Sequence, residues 1–170
     1  RFQLLCTLGF IDTPASRVAQ DQLLLSGLED DWMQIAALSA SSDRAVQYFD
    51  MASARRPELT ATESEARRSF LRKVGAVIGA RQKPAEMQKV LQAAAAHTQP
   101  GSSWWRAASL EGLADGILRR KPDPASLKSV QDLLFRLFEN PATPIRRAAL
   151  NLLQASHVGE GAGYQRVQQR

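Results

Sequence analysis

The sequence predicts an all-α protein whose two-helix units stack as an α-α superhelix. Three observations carry that expectation. Alanine (26) and leucine (21) far outnumber valine, isoleucine and threonine (19 in total). Alanine and leucine enter helices at little cost, whereas β-branched residues lose χ1 freedom there. Helix start and stop residues punctuate the chain, with no sustained period-2 alternation between turn signals. Finally, one short helical pattern recurs at nearly constant spacing.

The elements follow in order. Arg1-Phe2-Gln3-Leu4-Leu5 already lies inside an apolar helical pattern with no cap before it, which predicts a helix at 1–11. That start reads as a segment of a larger protein. Thr13-Pro14 is an N-cap followed by proline at the first helical position, opening 14–27. The acids Glu29-Asp30-Asp31 suit the N-terminus of a helix at 31–40. A helix at 42–55 runs to the stop at Pro57. Thr62-Glu63-Ser64-Glu65 fits a capping box and opens 62–80. An alanine-rich helix at 84–97 ends on His97, where a cation favours the helix dipole. Pro100-Gly101 separates it from 102–120, whose last turn carries Arg119 and Arg120. Pro122 stops that helix. Asp123-Pro124 opens 124–139 and Thr143-Pro144 opens 144–156, each by the device used at residue 13. The helical domain thus spans 1–157. Residues 158–170, glycine-rich and then polar, read as a linker or the start of a next element.

The repeat turns a list of helices into an architecture. Met33-Gln34-Ile35-Ala36-Ala37-Leu38 aligns with Trp105-Arg106-Ala107-Ala108-Ser109-Leu110 and with Ile145-Arg146-Arg147-Ala148-Ala149-Leu150. Ser69-Phe70-Leu71-Arg72-Lys73-Val74 is a weaker copy. The starting positions 33, 69, 105 and 145 lie 36, 36 and 40 residues apart. Arg1-Phe2-Gln3-Leu4-Leu5 fits as an earlier copy. A two-helix unit cannot bury its apolar stripe alone, so stacking neighbours must complete the core. Ala37, Ala108 and Ala149 are expected between layers because small side chains let helices approach. Leu38, Leu110 and Leu150 are expected to fill the seam.

With this pattern the chain resembles the HEAT-repeat family: Pro-Ile-Arg-Arg-Ala-Ala-Leu-Asn-Leu-Leu (144–153) looks like a second HEAT helix. The resemblance implies a HEAT/armadillo-like solenoid of about four to five units. The chain departs from the family's Asp–Arg pairing. Asp30 is followed by Gln34 rather than Arg, and Arg106 and Arg146 lack an Asp at the matching place. The segments 30–39 and 102–108 also resemble the HEAT-like part of large exported bacterial proteins. Those proteins join a dehydrogenase-like β-propeller to a c-type cytochrome domain. That likeness implies a spacer or docking scaffold between redox modules in a periplasmic or exported protein. The haem-attachment motif Cys-x-x-Cys-His is absent from the chain.

The inventory for chemistry is small. One cysteine, Cys6, excludes an internal disulfide framework and a cysteine-rich zinc site. Cys6 falls in an apolar stripe and reads as a small core residue. His97 and His157 have no visible base, nucleophile or ligand partner. The expectation is therefore no catalytic residue, no metal and no cofactor in this segment. No run approaches the roughly 20 apolar residues of a membrane helix.

Charge divides the chain. Residues 1–53 carry 3 Lys/Arg against 7 Asp/Glu, net −4, and residues 54–170 carry 19 against 10, net +9. Arg72, Arg106 and Arg146 fall on second helices, which line the concave side of a HEAT array. With Lys73, Arg147 and Trp104 they form the expected interaction surface. Trp105 occupies the Met33/Ile145 position and is expected in the core. Trp104, ~100° away around the helix, is expected at the turn or on the surface. The reading that results is a non-catalytic scaffold, whose partner is a neighbouring domain of the same chain or another protein. Two alternatives accompany it: a nucleic-acid or DNA-alkylation-repair module with a basic concave face, and a bilin-lyase-like repeat protein, for which no bilin site is visible.

Overall fold

The computed structural model describes residues 1–96, 101–120, 123 and 128–156. Among these residues the protein is all-helical, without a strand. Helix α1 is Phe2–Leu8, α2 Pro14–Ser26, α3 Asp31–Ala40 and α4 Ala45–Asp50. Helix α5 is Glu58–Ala61, α6 Glu65–Arg81 and α7 Pro84–Ala96. Helix α8 is Ser103–Leu118, α9 Gln131–Phe138 and α10 Thr143–Ala155. The expected helix end at His97, the Pro100 and Pro122 stops, the Asp123-Pro124 start, His157 and the 158–170 linker involve residues outside the described set.

The caps sharpen several boundaries. The α2 start is as expected: Thr13 Oγ1 accepts from Ser16 N (3.2 Å) and Ser16 Oγ accepts from Thr13 N (3.1 Å). At α6 the cap is Ser64, not Thr62, and its hydroxyl accepts from Arg67 N at 3.1 Å. At α10 the cap position is Ala142, so Pro144 sits one residue deeper than expected. The predicted helix at 42–55 is not uniform. A 3₁₀ turn at Ser42–Arg44 leads into α4, and a π turn at Met51–Arg55 widens its end. That turn closes with Arg56 N donating to Met51 O at 2.8 Å, and Met51 and Ala52 stay buried within it.

Helices α1, α3, α6, α8 and α10 pack in succession, each against the next. Helix α2 packs on α1 and α3, α4 on α6 and α7, α7 on α8 and α9, and α9 on α10. The most intimate joint is α6–α8. Their register runs in step: Gly75 faces Ser109 and Leu113, and Gly79 faces Leu113 and Gly116. Gly112 in turn faces Arg72 and Ala76, and Gly116 faces Ala76 and Ala80. The two helices are therefore parallel. A Cβ on any of the four glycines would strike a backbone carbonyl of the other helix.

The core residues largely match the expectation. Leu38, Leu110, Ala37, Ala108 and Ala149 are buried. Leu150 is only partly buried, and the apolar stripe of α10 instead runs Ile145, Ala148, Ala149, Leu152 and Leu153. That i, i+3, i+4, i+7, i+8 spacing is the usual core-facing pattern, and Leu150 lies beside it.

Candidate interaction groove

The outward stripe of α8 is Glu111, Asp115 and Leu118, at i, i+4 and i+7. The matching stripe of α10 is Arg147, Asn151 and Gln154, at the same spacing. With Arg72 of α6 these side chains line a groove of about 620 Å³ across α6, α8 and α10. Two ion pairs brace its walls. Arg72 donates to Asp115 Oδ2 from Nε (2.9 Å) and Nη2 (2.8 Å), tying α6 to α8. Arg147 Nη2 stands 3.8 Å from Glu111 Oε1, tying α10 to α8. Asn151 and Gln154 are exposed and make no side-chain hydrogen bond among the described residues.

The structure thus brings Arg72 and Arg147 together across one groove but separates them from the other expected surface residues. Lys73 turns the opposite way, to α3. Its Nζ donates to Asp31 Oδ1 (2.8 Å), Gln34 Oε1 (2.9 Å) and Ser69 Oγ (2.8 Å). The Lys73 hydrogen bond lowers the Asp31 pKa; the Lys73 charge and the Ser69 hydroxyl help, and partial desolvation opposes them. Arg146 folds back on its own helix start and donates to the carbonyls of Asn140 (2.9 Å) and Pro141 (2.8 Å). A third bond reaches Thr143 Oγ1 at 3.0 Å.

Trp104 and Arg106 do not belong to any surface. Trp104 is 6% exposed and Arg106 3% exposed. Every residue from Trp104 to Leu110 is buried, because α6, α7 and α10 enclose this part of α8. Two adjacent tryptophans are compatible with one helix when that helix has no open face. Arg106 Nε donates to Ala94 O at 2.6 Å, satisfying a carbonyl in the last turn of α7. Its Nη2 is buried without a partner, and burial lowers the guanidinium pKa. Trp105 lies in the core against Phe49, with ring centroids 6.4 Å apart.

Other sequence signals resolve into structure. Asp30 caps α3 by accepting from Trp32 N at 2.9 Å. Glu29 bridges Arg67 and Ser64. Gln34 is buried and donates to Leu28 O (2.7 Å) and Ala66 O (2.8 Å). It ties α3 to α6 through Ala66 O on its amide side and Lys73 Nζ on its oxygen side. Cys6 is partly buried. Among the described residues no three His, Cys, Asp or Glu side chains gather as a metal site, and no helix is long and apolar enough to cross a membrane. Tyr48, buried beneath the Arg44 guanidinium at 5.0 Å, has its hydroxyl pushed up to about 12, first by burial. That hydroxyl has no hydrogen-bond partner.

The groove residues Glu111, Asp115, Leu118, Asn151 and Gln154 were not singled out by motif. Their shared i, i+4, i+7 spacing on the copies starting at 105 and 145 is the signal that finds them. The chain matches no protein-family model, no curated protein and no solved structure.

Proposed function

We propose that this chain is a non-catalytic α-solenoid that holds neighbouring protein modules or a protein partner along a groove. The observation that carries the reading is the unbroken succession α1, α3, α6, α8, α10, with α2, α4, α7 and α9 packed against it. Each later joint of the succession has its own cross-tie: Asp31–Lys73 between α3 and α6, Arg72–Asp115 between α6 and α8, Glu111–Arg147 between α8 and α10. Such a stack offers a long surface rather than a convergent pocket. The resemblance to HEAT-like segments of exported redox proteins belongs to this proposal as well. In that setting the chain would hold two redox modules apart and carry no haem itself. The nucleic-acid alternative gains little from the groove, where Glu111 and Asp115 balance Arg72 and Arg147 and leave a single open cation rather than a basic strip.

Native-state hydrogen exchange on the full chain tests the proposal. A stack of nearest-neighbour units opens unit by unit, so amide protection should peak in α6 and α8 and decline stepwise toward α1 and α10. A single opening free energy shared by all helices would sink the solenoid reading.

A further inference from the structure

We propose that the groove over α8 receives an extended polypeptide segment carrying an acidic side chain about three residues from an apolar one. The inference rests on the scaffold reading and names the partner of its groove. Three features of the lining carry it. The first is the pair of uncommitted carboxamides, Asn151 and Gln154, one turn apart on α10. A carboxamide presents one acceptor and a donor pair, the complement of a peptide unit. A helical partner has already spent its backbone N–H and C=O groups internally, so an extended segment is the form that these amides can hold.

The second is the imbalance of the Arg147–Glu111 pair. The Arg147 side chain is 71% exposed, whereas that of Glu111 is 19% exposed. One contact at 3.8 Å leaves most of the guanidinium's five donors open toward the groove. Arg72, by contrast, spends Nε and Nη2 on Asp115. The open charge in the groove is therefore positive and sits at the Arg147 end, where a carboxylate would dock. The third is Leu118, 63% exposed at the other end of the same stripe. Glu111 and Leu118 are seven helical residues apart, or ~10 Å along α8. An extended chain in the polyproline II form covers about 9 Å in three residues and brings positions i and i+3 to the same side. An acidic side chain on Arg147 thus places an apolar one over Leu118.

The test is selection of a displayed library of random dodecapeptides on the purified full-length chain, repeated on two surface variants. The expected result is enrichment of peptides with an acidic residue about three positions from an apolar one. The double variant Asn151→Ala/Gln154→Ala should bind the enriched peptide at least about tenfold more weakly, since it loses two polar contacts. Arg147→Glu should switch the selected charge from acidic to basic. A Gln88→Ala control, at an exposed position of α7 away from the groove lining, should change nothing. No enrichment, or enriched peptides indifferent to both groove variants, would overturn the proposal. So would a DNA oligonucleotide that binds the chain and is lost on Arg147→Glu. A chain that shows the stepwise exchange gradient yet selects no peptide would lose this inference alone and keep the scaffold.

Discussion

The α6–α8 joint and the α1–α3 joint occupy equivalent places in the helix succession but are built differently. At α6–α8 the contact is backbone to backbone, through four glycines, and the first two turns of α8 are covered on every side. At α1–α3 a glycine makes such an approach only past the end of α1, where Gly9 lies against Ala40, and along the helices the contact is side chain to side chain. Helix α1 buries Leu5 fully, while Phe2, Leu4, Trp32 and Ile35 stay open to solvent. Phe2 and Trp32 meet edge to face at 6.3 Å on that open side. The same repeat pattern therefore yields one rigid joint and one loose one. What separates them is how far glycines run along the joint: four keep α6 and α8 in carbonyl contact over much of their length, whereas Gly9 meets Ala40 only past the end of α1, and bulky side chains hold the rest of that pair apart.

The largest effect should come from Leu110, fully buried at the centre of α8. Leu110→Ala should cost about 2–5 kcal/mol through lost transfer energy and a cavity that rigid neighbours cannot fill. Chemical denaturation reads this as a lower midpoint at constant m. A loss below about 1 kcal/mol would mean that α8 is loosely held and that the contrast with α3 is false.

Gly112→Ala sharpens the contrast because two effects oppose. In an open helix the change is worth up to about 1 kcal/mol of added stability. Here the new methyl meets the Arg72 carbonyl and the Ala76 amide, groups that cannot swing aside. Overpacking costs about 1–3 kcal/mol, so we expect a net loss of about 1 kcal/mol. Stabilisation by this variant would show that α6 and α8 are not in carbonyl contact.

At the loose joint, Trp32→Ala removes a large side chain that is 67% exposed. The edge-to-face contact with Phe2 is the main loss, about 0.5–1 kcal/mol. A cost rivalling that of Leu110→Ala would erase the distinction between the two joints.

Much of this was legible in the sequence, and the failures share one cause. Periodicity and caps locate α2, α3, α6 and α8 because each is long enough to show its stripe. Alanine and leucine at the repeat positions identify most of the core. The short pieces α5 and the 3₁₀ and π turns around α4 carry no pattern of their own, since tertiary packing of Tyr48, Phe49 and Met51 sets them. The surface was harder to read. Arg72, Lys73, Arg146 and Arg147 look like one basic strip, yet each follows a different partner, and Arg106 is interior. Side-chain direction depends on which neighbour a helix face meets, and a single helix does not reveal that. The clearest missed signal is the pair Gly75-x-x-x-Gly79 and Gly112-x-x-x-Gly116, 37 residues apart and in near step with the repeat. Two such pairs at repeat spacing mark two helices whose backbones touch.

The smallest expected effect concerns the tie between α3 and α6. Asp31 has its pKa lowered in the folded chain by the Lys73 hydrogen bond. A carboxyl whose folded pKa lies below its unfolded value adds stability above the unfolded pKa. That contribution is lost as pH falls through the folded pKa. The window is therefore acidic, beginning just above the ordinary aspartate value of 3.8 and extending below it. Lys73→Met should remove the window while changing stability at neutral pH only slightly, as expected for an exposed pair. Carboxyl NMR titration should show Asp31 returning toward its ordinary pKa in that variant. Added salt should shrink the difference between the two proteins, since the pair is open to solvent. An Asp31 titration indifferent to Lys73→Met would mean that the Asp31–Lys73 pair does not form and that Gln34, through its bond to Ala66, ties α3 to α6 without it.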